Sequence, residues 1–197
     1  MATYFTDWEE YSTGSAPSDW SFPWNANDTW TVETTGSDKY LYLNDADSIQ
    51  AIIWDDISGD ADRDDAEVLY LHESSITARR YARIRVQGTD TNPYNYSVGG
   101  TSTAFRVYKH VNSTTLVQVA SVANTFDANT KYWIRFRVNG NTLKARFWAD
   151  GDSEPGTWDI DTTDSDVTGV GGVGLGSSAS NATTAKFWKF GVGTNGD

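Results

Sequence analysis

The sequence predicts an all-β protein, a two-sheet antiparallel jelly-roll sandwich built as a single domain over residues 1–197. Three observations predict it. No segment repeats apolar residues at helical spacing. Short runs rich in aromatic and β-branched residues alternate apolar with polar along the whole chain, separated by Gly, Asn, Asp and Ser. The length of 197 residues supports one sizeable core, and no linker-like stretch divides it.

The runs succeed one another in order. "ATYFTDW" opens the chain, followed by "DTWTVETT", "KYLYLND" and "IQAIIW". "AEVLYLHES" then places Glu67 and Glu73 on one face, with Leu69 and Leu71 between them as core-like residues. "RRYARIRVQG" sets Arg80, Ala82, Ile84 and Val86 against Arg79, Tyr81, Arg83 and Arg85. "TAFRVYKHV" and "TLVQVASV" come next. "KYWIRFRVNGNTLKARFWADGD" reads as a hairpin turning at Asn139-Gly140-Asn141. Tyr132, Ile134, Phe136 and Val138 share its core face with Leu143, Ala145 and Phe147. Trp133, Arg135 and Arg137, with Lys144, Arg146 and Trp148, share the other. "GVGLGS" and "TAKFWKFGVG" complete the series. Pro17, Pro23, Pro93 and Pro155 read as turn residues, and at least one of Trp20, Trp24 and Trp30 as core.

The formal charge of -12 opposes binding to nucleic acid and anionic membrane. The absence of cysteine excludes disulfides and thiolate metal sites. No apolar run reaches the length of a membrane span, and "MATYFTDWEEYSTG" lacks the charged and apolar regions of a secretion signal. Acids concentrate in loop-like stretches at 45–67 and 150–166, which read as solvated. Asp60, Asp62 and Asp64 are the candidate calcium ligands, with Asp150, Asp152 and Glu154 as a second set. Neither stretch has the spacing of a known calcium loop, so an ion is not expected to be required.

The hairpin motif "YW-x-R-F-R-x-x-G-x-x-L-K-A-R-x-W", the strand "G-x-x-G-L-G" and the closing "FWKFGVGTNGD" resemble the concanavalin A-like (laminin G-like) jelly rolls of tailed-bacteriophage virion proteins. The resemblance covers nearly the whole chain. It implies a lectin/glucanase-type sandwich whose first and last strands pair, here "TYFTDW" with "FWKFGVG". It also implies a virion protein that folds in the host cytoplasm.

Glycosidases on such folds hold two carboxylates about 5 Å to roughly 9.5 Å apart. Glu67 and Glu73 stand six residues apart, on the order of 20 Å along a strand, so no catalytic residue is expected. His72 and His110 lack a nucleophile motif and read as structural. The cationic, aromatic strand faces pose a choice. Their heads pair with acids within the chain, or they form an adhesive surface of Arg79, Tyr81, Arg83, Arg85, Trp133, Arg135, Arg137, Lys144, Arg146 and Trp148. The expectation is a non-catalytic virion structural subunit, a capsid decoration or tail accessory protein, that contacts other virion proteins and its own copies in a homo-oligomer. The alternative is a carbohydrate-binding module that attaches to host or surface glycans, and the third reading is a degenerate glycoside hydrolase.

Overall fold

The computed structural model describes residues 3–24, 29–44, 49–55, 57, 65–73, 79–101, 103–178 and 184–194. Among them are fifteen strands: β1 (Thr3–Thr6), β2 (Trp20–Trp24), β3 (Thr29–Thr35), β4 (Asp38–Asn44), β5 (Ile49–Trp54), β6 (Ala66–Glu73), β7 (Arg79–Gly88), β8 (Pro93–Thr101), β9 (Ala104–Val111), β10 (Val117–Ala123), β11 (Lys131–Asn139), β12 (Thr142–Ala149), β13 (Ile160–Thr163), β14 (Gly172–Ser178) and β15 (Thr184–Thr194). They form two antiparallel sheets. The eight-stranded sheet runs β13-β12-β11-β6-β15-β4-β3, with β1 also on β15, and the seven-stranded sheet runs β10-β9-β8-β7-β14-β5-β2. The expected pairing of first and last strands is present, with Thr3 opposite Gly193 and Thr6 opposite Phe190.

Three strands escape the alternation pattern. β2 contains Pro23 and lies at an edge of its sheet, where a missing N–H is tolerated. β8 begins at Pro93, and its Gly99 and Gly100 hide the period. β13 is four residues long. Pro23 and Pro93 therefore sit in strands, not in turns.

The two sheets bury one core between their inner faces, and the hairpin places Tyr132, Ile134, Phe136, Val138, Leu143 and Ala145 in it as the alternation predicts. Trp20, Trp24 and Trp30 are all buried. In β6 the core face is Ala66, Val68, Tyr70 and His72. Leu69 and Leu71 consequently share the outer face with Glu67 and Glu73, which corrects the reading of these leucines as part of the core between the sheets, although Leu71 is buried on that outer face.

β7 departs from simple alternation at a bulge. Arg85 adopts φ 59, and the register with β8 shifts between Ile84 and Gln87. One extra residue reverses the facing of the residues after it. Arg85 turns inward, 5.9 Å from the Tyr96 ring, and donates to the carbonyls of Val167 (2.6 Å) and Gly140 (2.8 Å). Val86 turns outward to pack with Trp24 and Ala51.

Both histidines are structural in their surroundings. His72 lies among Tyr70, Phe126 and Tyr132, and the Nδ1 of His110 faces the Asn95 Oδ1 at 2.9 Å. Burial, reinforced by Arg80, lowers the His72 pKa from 6.5 to about 3, and burial, reinforced by Arg83, does the same to His110. Above pH 6.5 neither folded nor unfolded histidine binds a proton, so the shift contributes nothing. Between 6.5 and about 3 only the unfolded chain binds one, so stability falls as pH falls, by up to about 1.4 kcal/mol per pH unit for each group. Urea titrations across this window are expected to give a shallower pH dependence for His72→Phe than for the native chain. Equal slopes would contradict the assignment.

Candidate functional site

The outer face of the eight-stranded sheet gathers most of the hairpin residues singled out in the sequence. Register fixes the grid: Trp133 lies opposite Trp148 and Leu71, Arg135 opposite Arg146 and Leu69, and Arg137 opposite Lys144 and Glu67. The Trp133 and Trp148 rings are parallel within 16°, with centroids 6.4 Å apart.

The cations of this face are paired within the chain. Glu67 accepts Nη1 of Arg135 at 2.8 Å and Nε of Arg137 at 2.7 Å. Glu154 meets Arg135 at 2.8 Å and Arg146 at 2.5 Å. Arg146 also donates to the Pro155 carbonyl at 2.7 Å, and its guanidinium lies 4.3 Å from the Trp158 ring. Lys144 pairs with Asp161 at 2.9 Å. Of the two accounts of these cations, pairing within the chain is the one realised on this hairpin: strand arginines hold the 150–159 loop by its acids and its indole. The same pairing takes Glu154 onto guanidinium groups, while Asp150 accepts the Trp133 indole N–H at 2.8 Å. Among the described residues no group of three or more potential ligands is disposed to hold a metal. Asp60, Asp62 and Asp64 lie outside the described residues.

The β7 residues do not form the expected open surface. Tyr81, Arg83 and Arg85 are buried; the side chain of Arg79 lies outside the described residues. Arg83 lies between two rings, 5.0 Å from Trp24 and 5.3 Å from Tyr81, and donates to the Ser97 hydroxyl at 3.1 Å and the Ser177 carbonyl at 3.2 Å. The arrangement is made possible by Gly176, where a Cβ would stand 2.1 Å from the Arg83 Nε. A strand of small residues beside an arginine strand lets the guanidinium lie flat on the sheet, which alternation alone does not reveal.

Two neighbouring depressions open on the outer face of the eight-stranded sheet. The first, about 250 Å³, is lined by Asp7, Glu9, Asp38, Lys39, Leu71, Lys131, Asp150, Trp188 and Lys189. Lys131 Nζ stands 3.4 Å from the centre of the Trp188 ring, which packs at 4.9 Å against Tyr40. Lys39 donates to the carbonyls of Glu9 and Tyr11, both at 2.8 Å. The second depression, about 240 Å³, lies between Phe5 and Arg135 over Leu69, Gly191 and Gly193. Phe5 is 54% exposed. The ladder joins the two, because Leu71 lies opposite Lys189, Leu69 opposite Gly191, and Glu67 opposite Gly193. Most of these residues carry no local signal in the sequence, because β1, β6 and β15 are remote along the chain. Glycines at 191 and 193 on one face of the closing strand, beside the expected β1 pairing, were the available signal.

No family model matches the chain, and no curated protein matches it significantly. Solved structures do. A protein of unknown function from Shewanella oneidensis MR-1 superposes with a TM-score of 0.65 at 10% identity, covering 96% of this chain and 84% of that one. The carbohydrate-binding module CBM66 from Bacillus subtilis superposes with a TM-score of 0.60 at 20% identity, covering 91% and 98%. The exoplasmic/lumenal domain of VIP36 in its Ca2+/Man-bound form gives 0.54 at 13% identity, covering 89% and 83%. At such identities the likeness concerns the fold, and it places the chain among concanavalin A-like jelly-roll sandwiches.

Proposed function

We propose that this chain is a non-catalytic carbohydrate-binding module that holds a sugar in the depression between Trp188, Lys131, Lys189 and Asp38. The observation that carries the reading is the mixture of groups converging there. A sugar presents apolar C–H faces and hydroxyls that both donate and accept. Leu71 and the indole of Trp188 match the first, while the carboxylates of Asp7, Glu9, Asp38 and Asp150 and the ammonium groups of Lys39, Lys131 and Lys189 match the second. The carbohydrate-binding module among the structural neighbours supports the same reading. Glu67 and Glu73 are engaged by Arg135, Arg137 and Lys186 and serve the scaffold in this account.

A glycan array with the isolated chain, followed by calorimetry, tests the proposal. Lys189→Ala is expected to weaken binding about tenfold, the loss of one charge-assisted hydrogen bond, with thermal stability unchanged. Retention of no glycan on the array would overturn it.

The second reading is a bacteriophage virion subunit acting through protein contacts. Its support is the sequence resemblance together with a structural neighbour described as a carbohydrate esterase from bacteriophage phi24B, with a TM-score of 0.51 at 14% identity. The cationic faces do not add to it, because the charges of their described residues are paired or buried within the chain.

Calcium enters this proposal only as a non-essential ion on the stretch with Asp60, Asp62 and Asp64. The Ca2+-bound form of VIP36 motivates the test. A chelator is expected to leave the melting temperature nearly unchanged. A large drop, restored by calcium and absent in Asp62→Ala, would make the ion structural.

A further inference from the structure

We infer that the site takes a neutral oligosaccharide chain, not a single sugar unit, and that Phe5, Gly191 and Arg135 form its second subsite. This rests on the carbohydrate reading above and extends it. The two depressions lie end to end on one ladder, with Leu71 and Lys189 under the first and Leu69 and Gly191 under the second. Same-face positions on a strand repeat about every 6.6 Å, so the stretch from Leu71 to Glu67 spans about 13 Å, more than one sugar ring occupies.

The second depression is built for a flat, partly apolar ring. At Gly191 a Cβ would stand 3.3 Å from the Phe5 ring and 3.4 Å from the Tyr4 carbonyl. The missing side chain therefore lets the aromatic ring lie low across β15 and leaves a hollow beside it. Phe5 is one of the few large apolar side chains left exposed among the described residues, and it overlooks a floor of Leu69 and glycine. Arg135 forms the opposite wall, held in place by Glu67 and Glu154. An exposed ring facing a fixed guanidinium across a bare floor offers a sugar one stacking surface and one set of hydrogen-bond donors. Neutrality follows from charge: the first depression mixes four carboxylates with three ammonium groups in a chain of net charge -12, a field that repels polyuronates and sulfated chains.

The probes are monomer, dimer, trimer and tetramer ladders of neutral glucan, mannan, xylan and fructan, titrated into the full chain. The expected result is a rise in affinity of about tenfold from monomer to trimer. Phe5→Ala is expected to remove this rise and leave monomer affinity intact, since an exposed side chain contributes little to folding. Gly191→Val is expected to do the same by filling the floor. Affinity that stays flat with chain length, or a rise that survives both variants, overturns the second subsite while the first stands. Binding of no sugar at any length overturns both.

Discussion

Trp24→Ala is expected to destabilise the fold by about 3–5 kcal/mol, the range for deleting a large buried aromatic side chain. Two losses combine. The indole is fully buried against Ala51 and Val86, so its removal leaves a cavity. It also covers Arg83, which is itself fully buried, forms no ion pair with a carboxylate among the described residues, and has its pKa lowered from 12.5 to about 10 by burial. At neutral pH this guanidinium stays charged and is stabilised by two rings and two hydrogen bonds. Without Trp24 it loses one ring, and His110 separately loses the edge contact that it makes with the indole at 6.0 Å. Urea unfolding measures the effect, and a loss below about 1 kcal/mol would mean that the ring is not what holds the charge in place.

Glu67→Ala is expected to cost about 2–4 kcal/mol, near the range for breaking a buried ion pair. The carboxylate is 7% exposed and stands between two guanidinium groups, those of Arg135 and Arg137. Its removal leaves two like charges facing each other. The arginine side chains are 25% and 32% exposed, so water recovers part of the loss and the upper limit is not reached. Arg135 keeps Glu154, and Arg137 keeps its place 5.5 Å from the Trp158 ring. Glu67→Gln retains an acceptor without the charge and is expected to fall between Glu67→Ala and the native chain. Equal stability of all three would show that the pairs are solvent-screened and contribute nothing.

The hairpin of β11 and β12 was legible because strict alternation sorts its side chains correctly, from Tyr132 to Trp148, and because one of its faces is core. The β7 strand was only half legible. Ala82 and Ile84 face the core as read, but a bulge at Arg85 reverses Val86, and nothing in the local pattern announces it. That the remaining arginine face is closed depended on Gly176 and Trp24, each far away in sequence. The leucines of β6 were misread for a related reason. Apolar residues stand on both faces of that strand, so alternation could not choose between them, and the outer side half-buries Leu69 and buries Leu71. The trough itself needs β1, β6 and β15 side by side, and only the pairing of first and last strands was foreseeable.

The most direct test of the carbohydrate account is an amide-shift titration of the isotopically labelled chain with the sugar that the array selects. The account predicts shifts concentrated at Leu71, Lys131, Lys189 and Gly191, on the outer face of the eight-stranded sheet, with the seven-stranded sheet unmoved. Shifts centred on β7, β8 and β14, or no shift at saturating sugar, would contradict it.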